Sequence, residues 1–445
     1  MNQNFNEHPS VQNYYLHKNK QNETSVLEAS WLRDLCLQSG ADDVGFVSID
    51  RPELDDQRAE IKSLFPQVET LICFVCKMNR EPVRSPARSI ANIEFHHVHD
   101  QITEVGHRIV RELESKGIRA MNEPMGFPME VMREGKPWVI SHKPIAVAAG
   151  LGKMGIHRNV IHPRFGNFIV LGTVVINVKV NEESKQIDYN PCLECKLCVA
   201  ACPVGAIGAD GHFNFSACFT HNYREFLGGF SDWVENLVES KNTKEYRSKV
   251  SEGETLSMWQ SLSFGANYKA AYCMAVCPAG EDVIGTYIEN RKQFVREIVN
   301  PLQKQEETVY VVRGSDAEEY VQRRFPHKKV KQVPSPLQPP SSVKALIFSM
   351  PHVFQRNQAK HLDATYHFTF SGKEELEAAI HIKDKKIEIQ SQLTGKPDVH
   401  VFADSETWLK FIRKEIHILK AILTRKIKVK GNVRLLKSFA RCFPS

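Results

Sequence analysis

The hydrophobic rhythm of this chain begins at Val26. Before it, MNQNFNEHPSVQNYYLHKNKQNET is polar, rich in Asn and without periodic apolar positions, so residues 1–25 are expected to be disordered. From Val26, apolar residues recur on one helix face in VLEASWLRDLCLQSG, closed by Gly40. DDVGFVSI (42–49) and TLICFVCKM (70–78) read as strands, and ITEVGHRIVRELESK (102–116) as a helix ended by Gly117. PIAVAA (144–149) reads as helical with Pro144 near its first turn, and FIVLGTVVINV (168–178), rich in β-branched residues, as a buried strand. Alternating helix and strand predicts an α/β layer over 26–189. A cysteine-rich domain follows over 190–300. ETVYVVRGSDAEEYVQRRFPHKKVKQV then reads as strand–helix–strand and leads into the unpatterned PSPLQPPSS (334–342), so 301–342 is a connecting segment with a Pro-rich linker. Over 343–445 the strands ATYHFTFSG, AAIHIKDKKIEIQ and DVHVFAD precede one helix, SETWLKFIRKEIHILKAIL, with Ser405 as its N-cap. That helix has an apolar stripe (Trp408, Phe411, Ile412, Ile416, Leu419) and a basic opposite face, which completes an α+β domain.

Composition changes this picture in two places. The 445 residues are 42% hydrophobic and 25% charged, ordinary for globular domains. No apolar run reaches the roughly 18 residues of a membrane span, and the first residues lack the apolar core of a secretion signal, so a cytoplasmic location is expected. The net charge of +6 conceals an asymmetry: residues 326–445 hold 22 Lys and Arg against 10 Asp and Glu, and the rest of the chain is net acidic. A basic C-terminal domain suits an anionic partner such as a membrane surface or a nucleic acid, tRNA included.

The second change comes from the eleven cysteines. Clustered cysteines in a reducing compartment are more often metal ligands than disulfides. Cys192, Cys195, Cys198 and Cys202 are spaced C-x2-C-x2-C-x3-C and followed by Pro203, the run used by bacterial ferredoxins. Three closely spaced thiolates face one cubane, while the fourth points away to a second. Zinc sites take separated pairs instead. The second run, Cys273-x3-Cys277-Pro278, is incomplete, because Ala270 stands where a further cysteine would be. The crossover rule assigns Cys192, Cys195, Cys198 and Cys277 to one 4Fe-4S cluster, and leaves Cys202, Cys218 and Cys273 for the other. With three cysteines, that second cluster is either a three-iron form or a four-iron form whose last iron is open or takes a non-Cys ligand. His221, three residues beyond Cys218, is the nearest candidate.

Other motifs carry less. Cys73 and Cys76 are also spaced C-x2-C, but three apart on a strand they face opposite sides and are core residues, as are Cys36 and Cys442. Gly150, Gly152 and Gly155 form G-x-G-x-x-G, yet a helix rather than a strand precedes them and no acid follows at the required distance, which excludes a dinucleotide site. These glycines let backbone approach a ligand or a neighbouring strand. FHHVH (95–99) reads as a solvated helix face.

The segment SHKPIAVAAGLGKMGIHRNVIHPRFGNFIVLGTVV (141–175), then the cysteine run and CMAVCP, resembles the epoxyqueuosine reductases and the related cobalamin-dependent reductive dehalogenases over roughly residues 26–300. The resemblance implies a nitroreductase-like α/β domain joined to a two-cluster ferredoxin-like domain. It further implies cobalamin between them, with Gly150, Gly152, Gly155 and His96 as contacts, and a reductant protein such as flavodoxin or ferredoxin. At the family's catalytic Asp the register here places Lys136, with Glu134 and His142 close by, so these three are the catalytic candidates. The stretch 341–445, through HFTFSGKEE, AAIHIKDKKIEIQ, DVHVFADSETWLKF and KIKVKGNVRLLKSF, resembles the sterol-carrier-protein type 2 domain, which implies a hydrophobic, lipid-like ligand. The expected function is an iron–sulfur reductase acting through cobalamin; the alternative is a non-catalytic electron-transfer protein fused to a lipid-binding domain.

Overall fold

The computed structural model describes residues 5–17, 26–131, 138–226, 228–335 and 340–444. Within the stretch expected to be disordered, Pro9–His17 form a helix. The first domain is a four-stranded sheet with helices on both faces. Its elements in chain order are α1 (Ala29–Gln38), β1 (Asp43–Ser48), β2 (Thr70–Lys77), α2 (Arg88–Ser115), β3 (Ala120–Asn122), α3 (His142–Ala148) and β4 (Ile169–Ile176). The strands lie in the order β1-β2-β4-β3, and every pairing is antiparallel. The central strand β2 is buried on both faces, which is why its sequence is an unbroken apolar run. Cys73 and Cys76 belong to different core clusters, Cys76 under α1 and α2 and Cys73 under α3, as opposite faces of one strand require.

The core under α1 and α2 does not stop at residue 190. It continues through Cys198, Ala201, Tyr272 and Val276 into the strand–helix–strand unit, so these parts fold as one packed body. The cysteine-rich region holds α4 (Phe215–Asn222) and α5 (Glu252–Phe264), and the connecting segment holds β5 (Thr308–Val312), α6 (Asp316–Arg324) and β6 (Lys329–Val333). β5 and β6 pair in parallel, Val309 opposite Val330, as a strand–helix–strand unit should.

The last domain begins with α7 (Val343–Val353) and then a five-stranded sheet: β7 (Ala364–Ser371), β8 (Leu376–Lys383), β9 (Lys386–Gln390), β10 (Val399–Asp404) and β11 (Ile427–Gly431). The order is β9-β8-β7-β10-β11, with β7 and β10 parallel. The single long helix expected after β10 is two: α8 (Ser405–Ile412) and α9 (Ile418–Leu423), followed after β11 by α10 (Arg434–Arg441). Lys414 takes a left-handed φ of 62°, which ends the first helix, and the His417 side chain accepts from Leu419 N to start the second. The break leaves Leu419 exposed rather than on a continuous stripe. Asp404, not Ser405, caps α8 by accepting from Thr407 N, while the Ser405 hydroxyl accepts from Glu374 N. The domain docks on α4 and α6: Arg356 pairs with Asp210 at 2.9 Å, Asp316 N donates to Gln355 at 2.9 Å, and His352 packs edge-on against Phe215.

Candidate iron–sulfur site

Cys192, Cys195, Cys198 and Cys277 line one small pocket, walled also by Ile156, His157, Ile161, Lys196 and Ala279. Local backbone brings them together. Glu194 and Lys196 sit at left-handed φ of 48° and 61° between the cysteines, curling the loop so that three side chains converge. The fourth arrives from the distant Cys277 loop, which is anchored on the α/β layer where Glu281 N donates to Pro163 O at 2.9 Å. Among the described residues no three His, Cys, Asp or Glu converge tightly enough for a single ion. Four thiols spread around a cavity suit a multi-iron cluster instead.

Cys202, Cys218 and Cys273 form the second group. Cys218 feels the charge of Cys273 and Cys202, Cys273 also acts on Cys198 and Cys277 of the first group, and Lys143 is within electrostatic reach of both Cys218 and Cys273. Without iron the thiols of both groups are held protonated, Cys273 of the second and Cys277 of the first pushed up to about 12 by burial, so iron binding would displace the protons. Cys218, Cys273, Tyr223 and Tyr268 are part-buried, Lys143 is exposed, and the Tyr223 and Tyr268 rings meet edge-on with centroids 5.4 Å apart. Burial raises both phenols, which stay protonated. Lys143 Nζ donates to Arg158 O at 2.7 Å and Asn159 Oδ1 at 3.1 Å. At the gap in the second run, Ala270 is buried, and the N–H groups of Ala270 and Ala271 both donate to Asn222 Oδ1, one turn beyond Cys218 on α4.

His221 does not fit the missing ligand. It is buried, and its Nδ1 accepts from Tyr310 N at 3.4 Å, so its proton sits on Nε2. A histidine that binds iron through Nε2 keeps its proton on Nδ1 and donates it onward.

Residues 185–208 match the 4Fe-4S binding domain, and residues 352–444 match the SCP-2 sterol transfer family. An epoxyqueuosine reductase of Lactococcus garvieae is 25% identical over 139 residues, covering 31% of this chain and 32% of that protein. One of Bacillus cereus is 30% identical over 167 residues, covering 37% and 35%. This chain is a relative of the epoxyqueuosine reductases that ends in an SCP-2 sterol transfer domain. It spans about a third of the length of the curated relatives it matches. A solved epoxyqueuosine reductase from Streptococcus thermophilus superposes on 62% of this chain and 78% of its own with 14% identity and a TM-score of 0.35. A catabolic reductive dehalogenase covers 61% of this chain and 34% of its own with 14% identity and a TM-score of 0.36. Both scores are too low to define a shared fold.

Of the catalytic candidates drawn from these reductases, Lys136 and Glu134 lie outside the described residues. His142 opens α3, where Nε2 donates to Pro124 O at 3.3 Å and Nδ1 accepts from Thr173 Oγ1 at 2.8 Å. Burial pushes its pKa down to about 4, so it is neutral and both nitrogens are occupied. At the positions expected to contact cobalamin, the chain itself takes up the space. A Cβ on Gly150 would lie 2.2 Å from Lys185 O, on Gly152 2.3 Å from Ile161 O, and on Gly155 2.8 Å from the His157 ring. The His96 ring bonds Ala266 O through Nε2 at 3.0 Å. Each of these positions is taken up by contacts within the chain. Lys143, His157, Tyr223 and Tyr268 were not legible as site residues, because each lies in an ordinary helix or turn and is brought to the cysteines only by folding.

Proposed function

We propose that the chain is an iron–sulfur reductase with an α/β layer of nitroreductase type, two clusters, and a substrate that reacts beside Cys218 and Cys273. The surroundings of these two cysteines carry the reading: the Lys143 charge acts on both, and the part-buried Tyr223 and Tyr268 rings pack together near Cys218, so protonated groups that a reduction needs are at hand. The clusters, when bound, supply single electrons. Lys143, fixed by two acceptors, offers positive charge to an anion forming beside these cysteines, and the Tyr223 and Tyr268 phenols hold protons. His142 orients α3 under Lys143 through Thr173 and Pro124. A flavodoxin- or ferredoxin-like donor would reload the clusters. Cobalamin enters only by resemblance, and no step depends on it.

The C-terminal domain is proposed to hold a hydrophobic substrate or ligand. Its helix α7 lies against α4, the helix that carries Cys218, with His352 packed on Phe215, so ligand and cluster are on adjoining elements. Anaerobic purification after cobalamin-supplemented expression, with iron, sulfide, corrinoid and bound-lipid analysis, tests this. Expected are iron for two clusters, an EPR signal from one centre unlike an ordinary four-cysteine cubane, and bound lipid. Iron for a single cluster, or two ordinary cubane signals, would refute the assignment.

A further inference from the structure

The turn Gly155–Asn159 belongs to the α/β layer, yet it reaches both groups of cysteines. It is closed on itself: Gly155 N donates to Asn159 O and Arg158 N to Gly155 O, each at 2.9 Å. His157 stands in the wall of the first cavity. The backbone N–H of Asn159 donates to His157 Nδ1 at 3.1 Å. A ring nitrogen that accepts carries no proton, so the hydrogen of the neutral imidazole is on Nε2. That Nε2 is buried and has no hydrogen-bond partner among the described residues. Buried donors are rarely left unpaired, because losing water without gaining an acceptor is costly. Gly155 makes room for this ring, since a Cβ there would collide with it. On the other side of the turn, Arg158 O and Asn159 Oδ1 fix the Lys143 ammonium, whose charge acts on Cys218 and Cys273. Two of its three N–H groups are thereby used.

We infer that this one turn sets the reduction potentials of both clusters: the His157 Nε2–H donates to a sulfur of the first, and Lys143 is fixed against the second. Both are positioning residues. Reduction adds negative charge to a cluster, so a donor or a cation beside it favours the reduced form and raises the potential. The inference rests on the two-cluster reading.

The test is an EPR-monitored redox titration of the full chain, purified anaerobically with iron measured alongside. The signals are assigned with Cys195→Ser for the first centre and Cys218→Ser for the second. His157→Leu is expected to lower the midpoint of the first centre and leave the second in place; Lys143→Met is expected to do the reverse. His157→Gln and Lys143→Arg keep a donor and a charge, and are expected to sit closer to the native values. Midpoints unmoved in both the Leu and Met variants would overturn the inference, as would either variant shifting both centres alike. Native protein with iron for one cluster would instead overturn the two-cluster reading, and this inference with it.

Discussion

Gly166 shows how narrowly a single residue can be specified. Its φ is +65°, and a Cβ there would lie 1.9 Å from Ala279 O, two residues after Cys277. The loop carrying the last ligand of the first cluster is pressed onto the α/β layer at this point. Gly166→Ala is therefore expected to cost about 2 kcal/mol or more, read by denaturant unfolding, and to speed iron loss to a chelator. Iron release at the native rate would show that the two loops tolerate separation. At this scale the four cysteines of the 185–208 run were legible, since thiolates on a ferredoxin-type spacing have few other uses. His157 and Lys143 were not, because a histidine in a turn and a lysine on a helix have many.

At the scale of elements, α5 depends on a polar anchor. Its Trp259, Leu262 and Phe264 are exposed, so little apolar burial holds it. Glu225, itself buried, accepts from the Ser257 and Ser261 hydroxyls on α5 and from Lys269. Removing one partner leaves the other charge and two hydroxyls without it. Glu225→Ala should cost about 3 kcal/mol and raise hydrogen exchange across Glu252–Phe264 relative to α2; unchanged exchange there would mean the Ser251–Glu254 capping box alone secures the helix. The period of the apolar residues revealed most strands and helices. It did not reveal the break at Lys414, because a single left-handed residue leaves no mark on periodicity and the residues on both sides still favour helix.

Two expectations belong to the whole molecule. Burial pushes His99 and His142 down to about 4 and His221 down to about 3, so the folded chain refuses protons that the unfolded chain accepts below about 6.5. Stability should fall as pH drops from about 6.5 towards 4, with a steeper fall than in His142→Gln; a melting temperature that is flat down to pH 5 would contradict it. The second concerns the basic domain. Leu419, Ile422 and Leu423 share one face of α9 and are 62%, 45% and 83% exposed. Residues 413–441 around them hold ten Lys and Arg against one Glu. Protruding aliphatic side chains ringed by cations match an anionic membrane surface. The full chain is expected to sediment with phosphatidylserine-containing vesicles but not with pure phosphatidylcholine, and Leu419→Ser with Leu423→Ser to weaken binding about tenfold. Binding to RNA with no affinity for either vesicle would assign the charge to nucleic acid instead.

The sequence by itself determined the two cysteine groups, the shortfall at Ala270, the α/β layer and the basic C-terminal domain. Each follows from local chemistry: ligand spacing, apolar period, or net charge. Only the tertiary structure decided that the sheet of the first domain is antiparallel, that the glycines of GLGKMG serve contacts within the chain, and that His221 carries its proton on Nε2 because Nδ1 accepts from Tyr310 N. It alone brought Lys143 and His157 near the cysteines. These depend on which distant backbone groups meet in space, and no local pattern encodes that.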